Sequence, residues 1–173
     1  MALTPLAMTA HHIVYISIGS NLGDKLENCR FGIDSLAASA QIRVTGRSGF
    51  YRTEPVDFTA QDWFVNAVIR VESTLGPFAL LDRLQAVQRA AGRPADGVRF
   101  GPRVLDLDLL MVDRLILRDP RLTLPHPRMH LRRFVLLPLC DIDPHLVHPI
   151  LCKDMRRLLS ELDAQGQQVV ELP

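Results

Sequence analysis

Residues 13–21, IVYISIGSN, form a short apolar run that ends in Gly-Ser-Asn, which predicts a strand followed by a turn. From Leu22 the period lengthens. Leu26, Cys29, Ile33, Leu36 and Ala40 recur at helical spacing, with Asp24 placed as the cap. A second strand is predicted over residues 42–52, interrupted by Gly46 and Gly49 and ended by Glu54-Pro55. FVNAVIRVES, 64–73, alternates: Val65, Ala67, Ile69 and Val71 on one face, Phe64, Asn66, Val68 and Arg70 on the other. Gly76-Pro77 opens a helix whose buried stripe is Leu80, Leu84, Val87 and Ala91 and whose stop is Gly92.

RPADGVRFGPR, 93–103, is too rich in Gly and Pro for regular structure. GPRVLDLDLLMV, 101–112, predicts a buried strand with Leu105, Leu107, Leu109 and Met111 on one face. Val104, Asp106, Asp108, Leu110 and Val112 fall on the other. Asp113-Arg114 turns this strand back into LILR, and a proline-punctuated segment spans 120–127. A helix through His130 and residues 136–140, another over 155–162 and a short strand over 169–172 complete the pattern.

The order β-α-β-β-α-loop-β-β-α-α-β predicts an α+β fold. Its centre is a ferredoxin-like βαββαβ core, a mainly antiparallel sheet in three α/β/α layers with extra C-terminal helices. Strands follow strands without helical crossovers, which argues against a doubly wound sheet. At 173 residues the chain fits one domain over 13–173, behind an N-terminal extension over 1–12.

Composition adds little until charge is placed along the chain. The net charge of +1 provides no field that would favour nucleic acid or an anionic membrane. Of the 20 Lys and Arg residues only Lys25 and Lys153 are lysine, and the arginines cluster. Arg89, Arg93, Arg99 and Arg103 share one stretch, and Arg128, Arg132 and Arg133 another. Cys29, Cys140 and Cys152 form no metal or disulfide framework, so reduced thiols and a cytoplasmic location are expected. MALTPLAMTAHH lacks the basic and apolar regions of a signal peptide, and no apolar run is long enough for a membrane helix. The expectation is a monomer acting on small molecules, with no nucleic-acid or membrane partner.

Asp106 and Asp108, two apart on a strand, point the same way with Cα atoms roughly 6–7 Å apart. Three readings follow: a pair holding hard divalent cations such as Mg²⁺, solvent-facing polar residues on an exposed strand face, or carboxylates matched by nearby arginines. Carboxylates beside arginines, fed by a long loop, suit phosphoryl chemistry. GSNLG, 19–23, lacks the spacing of a phosphate loop and reads as an ordinary strand-to-helix turn. Asn66, an amide among Val65, Ala67 and Val68, needs a partner.

Five segments together resemble the 6-hydroxymethyl-7,8-dihydropterin pyrophosphokinase family: YISIGSNLGD, FYRTEPV, FVNAV, GPRVLDLDLL and RLTLPHPRMHLRRFVLLPL. The resemblance runs from about residue 13 to 149 and implies transfer of the β,γ-pyrophosphoryl unit of ATP to a pterin alcohol, releasing AMP, in folate biosynthesis. It implies that Asp106 and Asp108 hold two Mg²⁺ ions and that Arg93 and Arg103 act with them in catalysis. ATP is expected at Gln85, Arg93, Arg99, Arg103, Leu109, Arg121, Thr123, His126 and Arg132. The pterin is expected between Phe64 and Phe134, its edge read by Asn66, with Thr53, Pro55, Val56 and Phe100 adjoining.

Three departures stand out. Gln88 replaces an acidic residue, Ala95 an arginine and Phe100 a tryptophan, with Arg99 nearby as a partial substitute. They bear on turnover, since one well-placed arginine can be worth about 10³-fold. Two other classes fit the pattern less well. One is a relative that binds both ligands without turnover. The other is a ferredoxin-like RNA-binding module, which the 6% aromatic content and missing stacking strand disfavour.

Overall fold

The computed structural model describes residues 11–56, 60–92, 102–162 and 166–173. In chain order the elements are β1 (His12–Ser20), α1 (Lys25–Ala37), β2 (Ile42–Arg47), β3 (Tyr51–Thr53), β4 (Phe64–Ser73) and α2 (Pro77–Ala90). There follow β5 (Asp106–Val112), β6 (Leu117–Arg118), β7 (Thr123–Leu124), α3 (Arg133–Ile142), α4 (Met155–Glu161) and β8 (Val169–Glu171). The main sheet runs β5-β1-β4-β3-β8, with β2 beside β3 on the same flank of β4, and its pairings are antiparallel.

Both sheet faces are covered, giving the expected three layers. Val14, Ile16, Ile18, Ile69 and Val71 pack under α1 and α2 through Cys29, Ile33, Leu36, Leu80 and Leu84. Tyr15, Val68 and Met111 pack on the other face against Leu136 and Leu139 of α3 and Met155 and Leu158 of α4. Each such aliphatic side chain stabilises the fold by about 1.5–3 kcal/mol relative to exposure, so these two cores hold the sheet. Local signals set the helix ends. Asp24 accepts from the Glu27 N–H at 3.1 Å, and Gly92 takes the left-handed φ of +90° that stops α2. Among the described residues no helix is long and apolar enough to cross a membrane.

Two expectations change. The alternation of β5 does not run unbroken, because Tyr15 pairs with Met111 while Ile16 pairs with Leu109. Leu110 is therefore the extra residue of a β-bulge. Beyond it the faces exchange: Leu107 and Leu109 pack with α1 and α2, but so does Val112, while Met111 packs with α3 and α4. The single helix expected near 130–140 is also divided. A 3-10 turn at Met129–Leu131 is followed by Arg132 in an extended conformation, and α3 begins after it. Residues 1–10, and 93–101 of the expected loop, lie outside the described residues.

Candidate active site

α3 covers only part of its sheet face. Beyond its first turn, Ser17 and Gly19 of β1, Phe64 and Asn66 of β4 and Asp106 and Asp108 of β5 line an open pocket of about 250 Å³. Alternation within each strand brings these residues to one face, and the register sets Gly19 opposite both Asn66 and Asp106.

At the β5 end the carboxylates meet arginines. Arg103 donates from a terminal guanidinium nitrogen to Asp106 Oδ2 at 2.6 Å, and Arg132 lies 3.9 Å from Asp108 Oδ2. Both arginine side chains are 20% exposed or less, whereas Asp108 is 40% exposed to the pocket. Asn21 anchors this corner. It exchanges backbone and side-chain hydrogen bonds with Arg103 at 3.0 and 2.7 Å, and its amide donates to Gln61 at 2.9 Å. On the far side of β5, buried Gln88 of α2 accepts from the Leu107 N–H at 3.2 Å, between the two aspartates. That satisfies an edge-strand donor that would otherwise be buried unpaired. The departure at Gln88 thus falls at a position that holds the strand by accepting a hydrogen bond.

As a donor set, two hard carboxylates two residues apart suit Mg²⁺, which typically takes one or two protein carboxylates and fills its shell with water and phosphate oxygens. Among the described residues no cluster of three acidic, His or Cys groups offers a closed cage.

The β4 end is built by buried hydrogen bonds. The Asn66 amide donates to Thr53 Oγ1 at 2.6 Å, and both side chains are under 5% exposed. A Cβ placed on Gly19 would lie 2.5 Å from Asn66 Oδ1, so only glycine leaves room for that amide. Phe64 and Phe134 also line the pocket, as do Pro55 and Val56.

His126 sits where this pocket meets a second cavity lined by Leu109, Arg121 and Thr123. Its N–H reaches the Leu110 carbonyl at 2.8 Å, so the bulge also anchors the loop that carries it. Burial, then the positive charges of Arg132 and Arg128, lower its pKa to about 4. The ring is neutral at physiological pH. Nδ1 accepts from the Arg128 N–H at 3.1 Å, which leaves the proton on Nε2.

The structure therefore brings together Thr53, Pro55, Val56, Phe64, Asn66, Arg103, Asp106, Asp108, His126, Arg132 and Phe134 around one pocket. Leu109, Arg121 and Thr123 line the adjoining cavity, where Arg121 also pairs with Asp82 at 2.6 Å. Gln85 is exposed on α2 and lines neither. Arg93, Ala95, Arg99 and Phe100 lie outside the described residues. Sequence reasoning passed over Ser17, Gly19, Asn21 and Gln167. Gly19, a glycine inside an apolar strand, carried a usable signal of close backbone approach. Gln167 carried none.

Comparison with known proteins extends these observations. Residues 15–144 match the 7,8-dihydro-6-hydroxymethylpterin-pyrophosphokinase family. The chain is 41% identical over 157 residues to 2-amino-4-hydroxy-6-hydroxymethyldihydropteridine pyrophosphokinase of Methylorubrum extorquens, covering 91% of this chain and 98% of that protein. Against the protein of the same name from Bacillus subtilis it is 39% identical over 132 residues, 76% of this chain and 78% of that one. It is 35% identical to folic acid synthesis protein fol1 of Schizosaccharomyces pombe over 91% of its own length, but spans only 21% of that longer chain. Plasmodium falciparum HPPK-DHPS, solved with pterin and p-hydroxybenzoate, shares the fold at TM-score 0.70 and 13% identity, over 88% of this chain and 42% of that one.

Proposed function

The chain belongs to the 7,8-dihydro-6-hydroxymethylpterin-pyrophosphokinase family, and from that premise we propose how its pocket works. ATP donates its β,γ-pyrophosphoryl unit to the hydroxymethyl oxygen of 6-hydroxymethyl-7,8-dihydropterin. A bond forms from that oxygen to the β-phosphorus, the bond from that phosphorus to the AMP oxygen breaks, and the alcohol loses its proton. The observation that carries the reading is that Asp106 and Asp108 line the same pocket as the Asn66–Thr53 pair. A group that can hold polyphosphate thereby faces a group that can read a flat polar heterocycle.

Asp106 and Asp108 would hold magnesium, as two ions on this reading, and the bound metal would supply charge neutralisation along the triphosphate. Arg103, bonded to Asp106, and Arg132, near Asp108, turn their forks to the phosphate oxygens as charge shifts toward AMP. Neutral His126 donates a hydrogen bond from its Nε2–H to a phosphate oxygen at the junction of the two cavities. Phe64 and Phe134 stack the pterin, and Asn66 reads its edge with the amide hydrogen that Thr53 leaves over and with Oδ1. The proposal includes a monomeric, cytoplasmic enzyme with one domain over residues 13–173. Free thiols at Cys29, Cys140 and Cys152 accord with that setting.

The test is AMP release from protein, ATP, Mg²⁺ and the pterin. AMP appearing only when the pterin is present supports the reaction. Asp106→Asn and Asp108→Asn are each expected to abolish release with the fold intact, and activity retained in both would remove the metal assignment.

A further inference from the structure

The C-terminal segment lies beyond residues 15–144, yet it reaches the pocket through Gln167. β8 pairs with β3, and just before it Gln167 is 8% exposed and lines the pocket wall. Its amide donates to the Glu54 carbonyl at 2.7 Å. The Glu54 N–H donates to the Gln168 carbonyl at 3.0 Å, so both peptide groups of Glu54 are held from the C-terminal side. Glu54 sits between Thr53, the partner of Asn66, and Pro55, which lines the pocket. In extended backbone, fixing the peptide groups of one residue fixes where those of its neighbours point.

We propose that Gln167 is a positioning residue for the pterin, acting through Glu54 to hold the 53–56 segment in the geometry that receives the ring. The inference rests on the pterin reading of this pocket. It assigns to the C-terminal segment a part in substrate selection that the nucleotide does not share, because the β5 end is anchored independently through Asn21 and Gln88.

The experiment uses the full-length enzyme and steady-state kinetics with each substrate varied in turn. Gln167→Ala and Gln167→Met remove the donor, the second keeping the volume of the side chain, and Asn66→Ala serves as control. The expected result is a rise of about ten-fold in KM for the pterin with KM for ATP within two-fold of wild type, the size of one lost hydrogen bond. A pterin KM that stays put in whichever variant folds, or an equal rise for both substrates, overturns the proposal. If Asn66→Ala weakens the pterin and the Gln167 variants do not, this inference alone fails. If Asn66→Ala is also silent, the pterin reading falls and takes the inference with it.

Discussion

The two ends of the pocket are made differently. At the β4 end the polar groups are buried and bonded to one another, Asn66 to Thr53 at 2.6 Å, diagonally across the β3–β4 pairing. At the β5 end they are part-exposed and bonded to side chains that can leave, Arg103 on Asp106 and Arg132 near Asp108. The first end is a template that a ligand meets ready-formed. The second is a set of ion pairs that, on the proposed function, exchange partners when polyphosphate arrives. A rigid heterocycle suits a ready-formed template, whereas the arginines must first be drawn off the carboxylates before they can serve a charged ligand.

The largest expected effect separates the ends most cleanly. Asp106→Asn should lower turnover by about a thousand-fold or more while leaving pterin binding within a few-fold, measured by calorimetry beside rapid-quench AMP release. Comparable losses in both would mean the ends are not separable. Gly19→Ala should do the reverse, because the new methyl displaces the Asn66 amide. Pterin affinity should fall roughly 10- to 100-fold, and stability by about 1–3 kcal/mol in urea titration.

A smaller effect is expected at Gln88→Leu, which strips the Leu107 N–H of its acceptor between the aspartates. The predicted cost is about 1–3 kcal/mol, with KM for ATP rising and KM for the pterin unchanged. The smallest concerns His126, whose folded pKa of about 4 lies below its ordinary 6.5. Between these values the unfolded chain binds the extra proton, so the associated stability is complete above about pH 6.5 and is lost as pH falls toward 4. Unfolding free energies from urea titrations at pH 7 and 5 should differ by roughly 1–2 kcal/mol more in wild type than in His126→Gln. Equal slopes would show that the ring is already solvated.

The expected strand over 64–73 coincides with β4, and the expected Pro77 start and Gly92 stop bracket α2, because proline, glycine and strict alternation act within a few residues. β5 was harder to read. Its two-residue period is a local rule, and the Leu110 bulge that exchanges its faces is set by pairing with β1 and by the His126 loop bound to the Leu110 carbonyl. The turn 19–23 reads as ordinary in sequence, yet Gly19 and Asn21 become part of the site only when β4 and Arg103 lie against them.

By itself the sequence determined most of the element order, the alternation of β4 and the identity of most groups in the pocket, since residue chemistry and period are properties of neighbouring positions. The tertiary structure decided what those groups touch. That Arg132 lies near Asp108, that Gln88 holds the strand between the aspartates and that Gln167 reaches the far wall from beyond residue 144 are long-range contacts. Such contacts exist only where the two cores hold the sheet between them, and no local pattern encodes them.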